Sequence, residues 1–71
     1  MDSDRNRAVA RLKMMILVRQ NEKKRLQTAI TFSQSPERRA KAIDDLADIL
    51  KEIAVAMDEL SRLEAEIIGQ N

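Results

Sequence analysis

The chain contains no cysteine, no histidine, no tryptophan and no tyrosine, and it has one phenylalanine, one glycine and one proline. Without cysteine no disulfide can staple the fold, which excludes an extracellular disulfide scaffold. Without histidine or cysteine, neither a zinc site of the usual nitrogen and sulfur ligands nor a histidine- or cysteine-based nucleophile arrangement can be assembled. With Phe32 as the sole aromatic residue, stacking platforms for single-stranded nucleic acid are missing. The strongest apolar run, Met14 to Val18, spans five positions. That is far short of the roughly 20 apolar residues of a bilayer span. Two acids precede it near the start of the chain, Asp2 and Asp4, so it does not read as a signal peptide either. The chain therefore reads as cytoplasmic, with no membrane insertion.

What remains is a single 1–71 unit of strong helix formers, Ala, Leu, Met, Lys, Arg, Glu and Gln. Its one internal interruption is Ser33-Gln34-Ser35-Pro36-Glu37. Ser35 suits an N-cap, Pro36 the first helical position, and Glu37 the positive end of a helix dipole. Proline also pushes the residue before it out of the helical region. The sequence thus predicts helix one over about 5–32, opened by Ser3 or Asp4, a turn at 33–35, and helix two over about 36–68. A three-residue connection between two long amphipathic helices gives an all-α antiparallel hairpin.

Helix two carries the clearer pattern. Ile43, Leu46, Leu50, Ile53, Met57, Leu60 and Ile67 alternate by three and four as a coiled-coil seam does, with Glu64 the one lapse. Ala42, Ile49, Ala56 and Leu63 flank this expected seam on one side, and Ala47, Ala54, Ser61 and Ile68 on the other. One neighbouring helix cannot cover so wide a stripe. Helix one is less regular. Arg19 to Arg25 is seven consecutive polar residues, so Arg19 or Glu22 must approach the seam, while Met14 to Val18 wraps apolar side chains around the helix.

Charge supports the same pairing. Residues 1–32 hold eight basic and three acidic side chains, whereas residues 33–71 hold five basic and nine acidic ones. Around a turn at Gln34, antiparallel pairing sets Lys23, Lys24 and Arg25 near Asp44, Asp45 and Asp48, Arg19 near Glu52, Arg11 near Glu59, and Arg7 near Glu64. Each exposed pair contributes about 0–1 kcal/mol, so their effect is on orientation more than on stability.

These features point to a non-enzymatic protein–protein interaction module: a small helical regulator, chaperone or assembly subunit that binds partner helices through its apolar face. The expected interface comprises Met14, Met15, Leu17, Val18, Ile49, Ile53, Ala56, Met57, Leu60, Leu63 and Ile67. Its expected partners are a second copy, forming a four-helix bundle with a two-fold axis near Ile53 to Leu60, and another protein. No catalytic, cofactor or metal residues are expected. Asp44 and Asp48 are spaced to share a cation, but a solvated face answering the lysines of helix one explains them more simply, since no calcium loop is present. The alternative function is nucleic-acid binding through Arg19, Lys23, Lys24 and Arg25. Successive positions there fan out by about 100°, and the acids of helix two weaken the positive potential that phosphate binding requires.

Overall fold

The computed structural model describes residues 2–69; Met1, Gln70 and Asn71 of the expected unit lie outside the described residues. Two helices make up the fold, α1 (Asp2–Phe32) and α2 (Pro36–Gly69). Together they form a rod of 53 × 14 × 13 Å. A 31-residue helix is about 46 Å long, so the two lie side by side along nearly the whole rod. Ion pairs fix the antiparallel sense at two heights: Arg19 Nε meets Glu52 Oε2 at 2.9 Å, and Arg5 Nε meets Glu66 Oε2 at 3.9 Å.

The turn forms as its residue types dictate. The Ser35 backbone carbonyl accepts from Arg39 N at 3.0 Å, and Ser35 Oγ accepts from Arg38 N at 3.4 Å, which together cap the start of α2. Ser33 N donates to Ala29 O at 2.9 Å, closing the last turn of α1. Arg39 then reaches back across the turn and donates from Nη2 to Ser33 O at 2.6 Å, serving a carbonyl at the end of α1. At the other end α1 is already helical at Asp2, a few residues ahead of the expected start, so Asp4 stands inside its first turn; the side chain of Ser3, the other expected cap, lies outside the described residues. Early acids are favourable there because that helix end is positive.

The core is one layer deep. Leu12, Ile16 and Ala56 form its buried centre, with Leu60 and Leu63 packed against them; Ala42, Ile49 and Ile53 are buried further along α2. Among the described residues no side chain is fully buried. The seam on α2 differs in phase from the one expected. Residues 42, 46, 49, 53, 56, 60, 63 and 67 are buried or half-buried, while Ile43, Leu50 and Met57 are about half exposed. Leu46, Ile53, Leu60 and Ile67 belong to both phases. The change replaces Glu64 by Leu63, so the observed seam runs from Ala42 to Ile67 without a charge. On α1 the middle of the seam is polar: Arg19, Glu22 and Lys23 are all half-buried. Arg19 Nη1 donates to Glu22 Oε1 at 3.0 Å while its Nε holds Glu52. One guanidinium therefore satisfies a carboxylate on each helix, and its aliphatic stem can cover the core beneath.

Of the expected ion pairs, Arg19 with Glu52 forms. Arg7 with Glu64 does not, because rotation by about 100° per residue places them on opposite flanks of the hairpin. Arg5 with Glu66 forms at that end in its place. Arg25, Asp45 and Asp48 line a common groove with Glu22, Leu26 and Ile49, facing one another without closing into a bond within salt-bridge distance.

Candidate interaction surface

Because α2 spends one phase of its heptad pattern on α1, the other phase is left facing outward. Positions 43, 47, 50, 54, 57, 61, 64 and 68 also alternate by four and three, each one residue after a member of the buried set, and so lie about 100° around the helix from it. They read Ile, Ala, Leu, Ala, Met, Ser, Glu, Ile. Every one is exposed: Ile43 at 50%, Leu50 at 47%, Met57 at 49% and Ile68 at 73%. Large and small residues alternate along this strip from Ile43 to Ser61, and the whole strip spans about 38 Å at 1.5 Å per residue.

A second exposed apolar group lies on α1. Met14, Leu17 and Val18 are all open to solvent, the outcome of an apolar run too long for one face. Met15 sits at the rim of a shallow groove between the helices, with Leu12, Arg19, Glu52, Val55 and Glu59 among its neighbours. This groove lies on the acidic flank of α2, opposite the outward strip. Phe32, at the end of α1, is 78% exposed beside Thr28, Ala29 and Arg38.

The residues expected at a protein interface thus separate into two sets. Ile49, Ile53 and Ala56 are buried in the chain's own seam, and Leu60, Leu63 and Ile67 are half-buried along it; Met14, Met15, Leu17, Val18 and Met57 face outward. Ile43, Leu50, Val55 and Ile68 join the outward set; sequence reasoning had placed Ile43 and Leu50 in the seam and Ile68 on its flank, and had not singled out Val55. The signal that could have found the first two is Glu64: a charge-free phase was available one residue away.

The basic cluster does not converge. Arg19 is tied to Glu22 and Glu52, Lys23 is half-buried, and Lys24 and Arg25 are exposed in directions about 100° apart. Among the described residues no group of three or more acidic side chains is gathered to hold a metal ion, and no described helix is long and apolar enough to cross a membrane. No family model, no curated protein and no solved structure matches this chain.

Proposed function

We propose that this helical hairpin is a non-enzymatic protein–protein interaction module that engages helices along the outward strip of α2. The observation that carries this reading is that α2 has two heptad phases and one partner helix. The hairpin exposes 5776 Å² of solvent-accessible surface, whereas a compact monomer of 8.1 kDa exposes about 4,500 Å². An apolar strip of this length is more than a scatter of surface hydrophobes and is the usual mark of a binding surface. A helix laid along it meets an i, i+4, i+7 row of anchors, the helix-in-groove mode of recognition. Met57, at the middle of the strip, suits such a role, since an unbranched thioether adapts to an imperfectly matched partner. Regulator, chaperone and assembly subunit are all forms this activity takes.

Retention of cellular proteins by the wild-type chain and by a Leu50→Glu, Met57→Glu variant tests the reading. Both positions lie outside the intramolecular seam, so the variant keeps its helical signal. Partners lost only by the variant are the expected result. Identical partner sets for the two folded proteins would overturn it, and recovery of nucleic acid that releases steeply with salt would put the basic faces of α1 in its place.

A further inference from the structure

Resting on that reading, we infer that the occupant of the outward strip is a second copy of this chain, with the two α2 helices packed antiparallel about a two-fold axis between Val55 and Ala56. Three features of the strip carry the assignment. The first is its alternation of size. Ile43, Leu50 and Met57 recur every seven residues, and so do the small residues Ala47, Ala54 and Ser61. In an antiparallel pair each layer draws one residue from each of the two alternating positions, so the central layers set Leu50 against Ser61 and Met57 against Ala54, Glu64 falls opposite Ala47, and Ile43 with Ile68 closes each end. A parallel pair stacks like on like, giving hollow alanine layers between crowded ones, both of which destabilise a helix interface.

The second feature is charge, and it selects the register. Residues 44, 51, 58 and 65 border the strip on the side away from α1; they are Asp44, Lys51, Asp58 and Ala65, all exposed. With the axis between Val55 and Ala56, Ala54 faces Met57 of the second copy and Leu50 faces Ser61. Lys51 then lies beside Asp58 of the second copy, and symmetry repeats the pair. Moving the register by one heptad toward the turn sets Lys51 beside Lys51 and Asp44 beside Asp58. Moving it the other way sets Asp58 beside Asp58 and leaves Ile43 without a partner. Only the central register has unlike charges opposed, and like charges there would be destabilising.

The third is area. A strip about 38 Å long and one helix, about 10–12 Å, wide brings two copies near the roughly 1,000 Å² in total that lasting interfaces exceed. The surface this hairpin exposes beyond that of a compact monomer is larger than one partner's share of a standard interface, about 800 Å². Because the outward strip and the intramolecular seam are about 100° apart on α2, the two α2 helices form the centre and the two α1 helices stand on the same side of them.

Sedimentation at low micromolar concentration, with designed thiols, tests the assignment. The chain contains no cysteine, so introduced ones are unique. A dimer mass is expected, together with faster disulfide formation in a mixture of Ala54→Cys and Met57→Cys chains than in either alone. Leu50→Glu should weaken the dimer by about a hundredfold or more, since symmetry removes two buried leucines. Lys51→Asp should weaken it by about fivefold, and Lys51→Asp with Asp58→Lys should restore it. An 8.1 kDa monomer persisting at a concentration about a hundredfold higher would overturn the second copy as occupant. Rapid linking of Ala54→Cys alone would overturn the antiparallel sense, and tighter association of Lys51→Asp would overturn the register. The interaction-module reading fails separately, on identical partner sets for wild type and the Leu50→Glu, Met57→Glu variant.

Discussion

Ile53 and Leu50 are three residues apart and chemically near-identical, yet they do different work. Ile53 is buried against α1, whereas Leu50 is 47% exposed on the outward strip. Placing a lysine at position 53 would bury an unpaired ammonium in the hairpin's own core, which costs several kcal/mol and exceeds what a core of this depth can absorb. Ile53→Lys is therefore expected to abolish the helical circular-dichroism signal, while Leu50→Glu preserves it and changes association alone. A folded Ile53→Lys protein would contradict the burial of Ile53 in the seam. Arg19 is the other residue on which the fold turns. Its two carboxylate partners come from different helices, so it joins α1 to α2 at the point where α1 has no apolar side chain to offer.

At the scale of elements, the turn was legible from residue types. Ser35, Pro36 and Glu37 mark the start of α2, and the helix begins at Pro36. Ser35→Ala removes the side-chain acceptor for Arg38 N, at a cost of about 1 kcal/mol. In a domain this small that lowers the thermal midpoint by about 4–8 °C, measurable by calorimetry; an unchanged midpoint would mean that the backbone bond from Arg39 N to Ser35 O suffices. The hairpin and its antiparallel sense could also be read from sequence, because complementary charge and a three-residue connection leave few alternatives. The phase of α2 was harder to read. Leu46, Ile53, Leu60 and Ile67 belong to both candidate seams, and the size rule favours Ile43, Leu50 and Met57 over Ala42 and Ala56. The contest is decided by α1, whose seam is bulky at Leu12 and Ile16 and needs a small residue opposite. Ala56 fills that need. Periodicity within one helix does not carry that information, since it concerns the fit between two.

At the scale of the whole molecule, the hairpin is a rod. Its radius of gyration is 16.1 Å, against about 11 Å for a compact 71-residue domain. A rod with a single-layer core has little cooperative stability of its own. If a second copy supplies the missing layer, folding and association are linked, and the melting temperature rises with protein concentration. Melting curves recorded across a hundredfold dilution series should shift downward on dilution for the wild type and coincide for Leu50→Glu. Curves that coincide for both would show that the hairpin stands without a neighbour.

The ion pair between Arg5 and Glu66 places the described ends of both helices at one pole of the rod, with the turn at the other. A chain of this shape is polar in the way an arrow is. Two arrows joined side by side in opposite directions lose that polarity, and with the axis between Val55 and Ala56 they overlap except for about 9 Å at 1.5 Å of rise per residue. The proposed dimer is a spacer about 60 Å long whose two tips are identical turns, with the described ends of each copy set about 9 Å inside the other copy's turn, so that the two pairs of ends stand about 40 Å apart. Anything attached to such an end is held at a fixed separation from its twin, set by the helix rise and by the position of the smallest residues on α2.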